Sequence, residues 1–106
     1  MKTIILYIQN LVKKRKYRIT LHAEQERDAD QITKNEIEQV LLSNKLEIIE
    51  DYPNDPRGHS YLLLGYTDDE KPVHLVCGLG ATEMLIVITL YVPDRELWID
   101  FRKRRL

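Results

Sequence analysis

The spacing of apolar and polar positions changes period once along the chain. In the first half it is helical. Ile4, Ile5, Ile8, Leu11 and Val12 recur every three or four residues and predict a helix from about residue 3 to 16 with one buried stripe. Tyr17-Arg18-Ile19 is extended. Thr20 stands where an N-cap belongs, ahead of a second helix that contains His22, Ala23, Glu26, Arg27 and Ala29. Thr33-Lys34-Asn35-Glu36 fits a capping box, and Ile32 with Ile37 supplies the matching hydrophobic staple. The third helix opened by that box buries Ile37, Val40 and Leu41 and ends near Ser43-Asn44.

In the second half the period is that of strands. Leu46 to Tyr52, Ser60 to Tyr66, Val73 to Leu79 and Met84 to Val92 are bounded by turn residues: Pro53-Asn54-Asp55-Pro56-Arg57-Gly58, Thr67 to Lys71 with Pro72, and Gly80 to Glu83. The last run, M-L-I-V-I-T-L-Y-V before Pro93-Asp94, is the most apolar and β-branched of the chain. Strict alternation puts Met84, Ile86, Ile88, Leu90 and Val92 on one side, as the seat of the helices. Leu85, Val87, Thr89 and Tyr91 fall on the other. Short connections favour antiparallel neighbours. The expectation is an α+β domain, with helices packed on one face of a four-stranded, mostly antiparallel meander. Beyond Pro93, Trp98 and Phe101 are placed to dock the tail.

Composition and charge narrow the class. A chain of 106 residues is one domain, able to bury a core without staples. It has no apolar run long enough to span a membrane, and its first residues lack the order of a signal peptide, so a cytoplasmic protein is expected. The single cysteine, Cys77, lies inside a strand and excludes an internal disulfide and a multi-cysteine zinc site. The net charge of −1 hides an asymmetry. Of sixteen Lys and Arg, nine sit in two clusters, Lys13, Lys14, Arg15, Lys16 and Arg18, and Arg102, Lys103, Arg104 and Arg105. Such clusters suit a phosphate backbone or an acidic partner; the plain alternative is a solvated helix end and a frayed tail.

Candidate chemistry is sparse. A simple hairpin joining the last two strands pairs His74 with Thr89 and makes Tyr91 a diagonal neighbour, a polar group on apolar strands. Imidazole suits proton transfer near neutrality, and a phenol can hold a phosphate oxygen. A cross-strand pair at a sheet edge would look the same. His22 and Glu26, four apart on a helix, fit an acid/base pair, half a metal site or a helix-entry histidine bonded to nearby backbone. Arg57, between two prolines, is a candidate phosphate ligand or a solvated loop residue. No metal-ligand spacing, Gly-rich phosphate loop or nucleophile elbow is present.

The order H-A-E-Q-E-R-D-A-D-Q-I at 22–32, I-I-E-D-Y-P-N-D-P-R-G-H-S-Y-L-L-L-G at 48–65, P-V-H-L-V at 72–76 and V-I-T-L-Y-V-P-D at 87–94, with Trp98 and the basic tail, resembles a family of small bacterial domains grouped with the RelE/ParE-like toxins. The resemblance implies a RelE-like fold and the role of toxin in a type II toxin–antitoxin pair, most often a metal-independent endoribonuclease acting on mRNA without a cofactor. It also implies an antitoxin partner with a cysteine-rich zinc domain, as in MqsR-like systems, and RNA, free or ribosome-bound, as target. The catalytic positions it carries over are His22, Arg57, His74 and Tyr91. Lys13, Lys14, Arg15, Arg18, Arg102, Arg104 and Arg105 would hold the RNA. Many relatives carry an arginine four residues after the helix histidine, where this chain has Glu26. The alternative is a non-catalytic module of the same fold that docks an antitoxin or another protein.

Overall fold

The structure, a computed structural model, describes residues 2–79 and 83–106. The turn expected over 80–83 lies outside the described residues except for Glu83. Three helices, α1 (Lys2–Lys13), α2 (Leu21–Ala29) and α3 (Lys34–Leu41), accompany a sheet of β1 (Tyr17–Ile19), β2 (Glu47–Tyr52), β3 (Ser60–Tyr66), β4 (Pro72–Leu79) and β5 (Leu85–Tyr91). A small hairpin of β6 (Trp98–Ile99) and β7 (Lys103–Arg104) ends the chain. The fold is α+β, as the pattern predicts.

Both helix starts follow the expected chemistry. Thr20 Oγ1 accepts from Ala23 N–H, and Thr33 and Glu36 form the reciprocal capping box. Ile32 and Ile37 are fully buried beneath it. Helix α1 buries Ile8, Leu11 and Val12, with Ile4 and Ile5 half-buried against the same core.

Sheet order is β1-β5-β4-β3-β2, with β1 parallel to β5 and the rest antiparallel. The four-stranded meander is therefore present, and a fifth strand joins it. Tyr17-Arg18-Ile19 pairs with Leu85, Ile86 and Val87 because β5 would otherwise leave its outer backbone groups unmatched. Leu85 N–H donates to Lys16 O (3.0 Å) and Thr20 N–H to Val87 O (3.1 Å), bracketing the pairing. Three residues are too few for a period to mark them as a strand.

A second correction concerns register. His74 pairs with Tyr91, and Val76 with Thr89, whereas the simple hairpin gives His74 to Thr89. Cys77 pairs with Val87, so Ile88 is the extra residue of a bulge. The bulge breaks the alternation of β5. Leu85 and Val87 enter the helix-side core and are followed there by Leu90, not by Ile86 and Ile88. The helices rest on Tyr61, Leu63, Val73, Leu75, Cys77, Leu85, Val87 and Leu90, most of them wholly buried. Each such aliphatic side chain contributes about 1.5–3 kcal/mol of transfer free energy. Burial also pushes the Cys77 thiol up to about 12, which leaves it an inert core residue. Gly65 sets the close approach of α3 to β3: a Cβ there would stand 2.6 Å from Val40 O.

Candidate functional site

The sheet face away from the helix-side core has His74 and Tyr91 on its strands and His22 and Arg57 at its border, and it is divided. At one end the C-terminal hairpin covers it. At the other it is open.

His74 and Tyr91 lie at the covered end. The bulge places them directly opposite, with Nδ1 3.2 Å from the Tyr91 hydroxyl. His74 Nε2 stands 2.6 Å from Phe101 O. A carbonyl can only accept, so Nε2 carries the proton and Nδ1 accepts from the Tyr91 hydroxyl. Trp98 meets the imidazole edge-on at 4.5 Å between ring centres. His74 is 0% exposed. Burial holds its pKa below the usual histidine value, against the opposing pull of Phe101 O and Glu50. Burial raises the Tyr91 phenol. Both ring nitrogens are thus occupied, and no part of the ring meets solvent.

The tail that makes this cover is fastened by ion pairs to β2. Arg104 holds Glu50 through Nε (2.8 Å) and Nη2 (3.1 Å) and lies over the Trp98 ring. Arg102 pairs with Glu47, and Arg105 Nε donates to Arg95 O. Arg104 draws the Glu50 carboxyl below its ordinary pKa. Three residues expected to hold RNA are therefore engaged inside the fold.

The open end is a cleft of about 380 Å³ lined by Thr20, His22, Arg57, Gly78, Leu79, Ile86 and Ile88. Its floor is aliphatic, supplied by Ile86 and Ile88, which alternate with the core residues Leu85 and Val87. His22 and Arg57 stand on its rim. His22 arrives there because Thr20 ends β1 and caps α2 within one residue. Arg57 arrives on the β2–β3 loop, where Gly58 turns with φ +108, a conformation suited to glycine. Asp55 Oδ1 and Oδ2 accept from Arg57 Nε (3.0 Å) and Nη2 (2.8 Å), which leaves Nη1 outside that ion pair. The same guanidinium, with Arg57 N–H and the Ser60 hydroxyl, holds the Asp55 carboxyl well below the carboxylate range.

Glu26 joins cleft and sheet. Beyond β1 the outer edge of β5 is closed by α2: Glu26 Oε1 accepts from Leu90 N–H (3.2 Å) and from the Thr89 hydroxyl, and Asp30 Oδ2 accepts from Val92 N–H (2.9 Å). The same Glu26 oxygen stands 3.3 Å from His22 Nε2. Glu26 thus stands at ion-pair distance from His22, a position from which an anchored carboxylate can orient a base. The sequence presents the His22–Glu26 spacing, but nothing in it shows that Thr89 and Leu90 fix the carboxylate. Nothing local in the sequence marks Ile86 and Ile88 as cleft residues, because the face a strand residue takes depends on its distant pairing; Gly78 inside a strand is the one hint.

Of the N-terminal basic residues, Arg18 pairs with Ile86 and shares its sheet face, beside the cleft. Lys13, Lys14 and Arg15 lie at the end of α1, all exposed. Among the described residues no helix is long and apolar enough to cross a membrane.

An α+β domain with a mixed five-stranded sheet and an open cleft rimmed by His22 and Arg57 is the class these observations define. The chain belongs to the DUF4258 family, a domain of unknown function, whose profile matches residues 19–92. That span runs from the end of β1 to the end of β5 and leaves out α1 and the C-terminal hairpin. No curated protein and no solved structure matches the chain.

Proposed function

We propose that this chain is the toxin of a type II toxin–antitoxin pair, acting on RNA as a metal-independent endoribonuclease, with the open cleft as its working site. The observation that carries the reading is His22 on the cleft rim, oriented by a Glu26 that is itself tied to β5. His22 takes the proton of a ribose 2′-hydroxyl. The 2′-oxygen attacks the adjacent phosphorus, the P–O5′ bond breaks, and the 5′-oxygen leaves as a hydroxyl with a proton from water. The Nη1 side of Arg57 offsets charge growing on the phosphate. His74 and Tyr91 brace the sheet under the tail. The resemblance to RelE/ParE-like toxins supports the reaction class, and an antitoxin with a cysteine-rich zinc domain is the partner it suggests.

The burial of His74, with both nitrogens spent, favours a second reading: the fold docks an antitoxin or other protein and cuts nothing. Incubating purified protein with RNA in EDTA separates the two. The first reading expects cleavage products ending in cyclic phosphate. Growth arrest on induced expression with no cleavage in vitro or in extracted RNA contradicts it and supports the second.

A further inference from the structure

The two basic clusters, alike in the sequence, differ in their surroundings. At the C-terminus, Arg102 and Arg104 are neutralised by Glu47 and Glu50. Among the described residues, Lys13, Lys14, Arg15, Lys16 and Arg18 enter no ion pair at all. The turn that carries them has an unusual residue at its hinge. Lys16 N–H donates to Leu11 O (2.8 Å) and Arg15 N–H to Val12 O (3.0 Å), the paired bonds of a Schellman motif. Its left-handed position usually belongs to glycine and here holds Arg15, at φ +59. The same conformation occurs at Gln31, Glu70, Glu83, Asp100 and Phe101, so it is the unpaired charge of Arg15, not its backbone, that sets it apart. Next along, Lys16 and Arg18 flank Tyr17, whose pairing with Leu85 turns it to the core, so alternation puts both cations on the open face. Ile86, opposite Arg18, lines the cleft. A run of unpaired cations therefore leads from the end of α1 to the cleft rim. Within residues 13–18 no large apolar side chain is exposed, and Leu21 next to the rim stands alone, short of the cluster that anchors a protein partner.

We infer that this turn is the ledge that grips the RNA backbone: Lys13, Lys14, Arg15, Lys16 and Arg18 contact successive phosphates of a strand entering the cleft, and the C-terminal arginines take no part. The inference rests on the ribonuclease reading for the identity of the polyanion. Its test avoids cleavage by using a short, labelled 2′-O-methyl RNA oligomer, which offers no 2′-hydroxyl to the base, and reading affinity by fluorescence anisotropy across a salt series.

Arg15→Gly relieves the left-handed strain, so its melting temperature rises by about 2–4 °C. Its affinity nonetheless falls severalfold, and its salt slope drops by about 0.7, the loss of one phosphate contact. Lys13→Ala combined with Lys14→Ala and Arg18→Ala weakens binding roughly tenfold or more, while Arg102→Gln with Arg105→Gln binds like the wild type. The inference is overturned if the wild type does not bind the oligomer, or if Arg15→Gly is stabilised yet keeps its affinity and slope. It is also overturned if the C-terminal variant shows the loss, or if polyglutamate of matched charge competes as well as RNA. A protein that grips the oligomer through the ledge but never cleaves ordinary RNA contradicts the ribonuclease reading and leaves the ledge standing.

Discussion

The covered and open ends of one sheet face present histidines in opposite states. His74 sits beneath Trp98 with each nitrogen bonded, and its neighbour Tyr91 spends its hydroxyl on the ring. His22 has a side chain 68% exposed, one anchored carboxylate beside Nε2 and an apolar cleft at its side. The first arrangement is what a buried polar group needs in order to be tolerated in a core. The second is what a proton-transfer group needs in order to reach a ligand. The residue most conspicuous among apolar strands is therefore structural in kind, and the one on a polar helix start is free to react.

Removing the cover should give the largest effect. Trp98→Ala empties a nearly buried site against His74, and the expected cost is about 3–5 kcal/mol in a urea titration. A change below ~1 kcal/mol would mean that the tail does not hold that end of the sheet. Glu26→Ala comes next. It strands Leu90 N–H and the Thr89 hydroxyl, and about 1–3 kcal/mol of stability should go with them. The same change frees His22 to rotate, so cleavage should fall as well. A loss of stability alone would separate the latch from the chemistry.

The pH dependence probes the covered end. His74 has a folded pKa below its unfolded value of 6.5, so folding favours the neutral ring. Its contribution is fully present above pH 6.5 and is lost as pH falls towards the folded pKa, at no more than about 1.4 kcal/mol per pH unit. Burial is the main cause of the shift; Phe101 O and Glu50 oppose it and Arg104 adds to it, while Tyr91 faces the ring from β5. Thermal melts between mildly acidic and neutral pH should show the wild type losing stability as acid is added, and His74→Phe should remove that slope. A wild type whose melting point is flat through this range contradicts the account of His74. The smallest effect on stability belongs to the open end. A Cβ on Gly78 would meet Ile88 Cδ1 at 3.4 Å and His59 O at 3.9 Å, ordinary contact distances, so Gly78→Val should melt within about 0.5 kcal/mol of wild type while filling the cleft. Oligomer affinity that survives this change would remove the cleft from the binding path.

Local signals were readable in the sequence where their cause is local. Thr20, Thr33 with Glu36, and the stripe of Ile8, Leu11 and Val12 act within a turn or two of helix, and all took the expected places. The order of β2 to β5 followed from short connections. What stayed hidden depends on partners far along the chain. The bulge at Ile88 reassigns every later residue of β5 between faces, and only its pairing with β4 reveals it. Strand β1 exists because β5 offers an edge. The tail hairpin exists because Trp98, Arg102 and Arg104 find His74, Glu47 and Glu50. For the same reason the four candidate catalytic residues could be named in advance but not sorted. The simple hairpin makes His74 and Tyr91 diagonal neighbours, whereas the bulge makes them direct partners, and nothing local in the sequence marks their burial under residues 98–104.

The most direct measurement compares initial rates of RNA cleavage in EDTA for His22→Ala and Tyr91→Phe, with melting temperatures taken on the same preparations. If the open cleft is the working site, His22→Ala loses about 10²-fold or more in rate and keeps its melting temperature, while Tyr91→Phe melts lower and cleaves like the wild type. Undiminished cleavage by His22→Ala, together with a comparable collapse in a folded Tyr91→Phe, would place the chemistry beneath the tail and contradict the account.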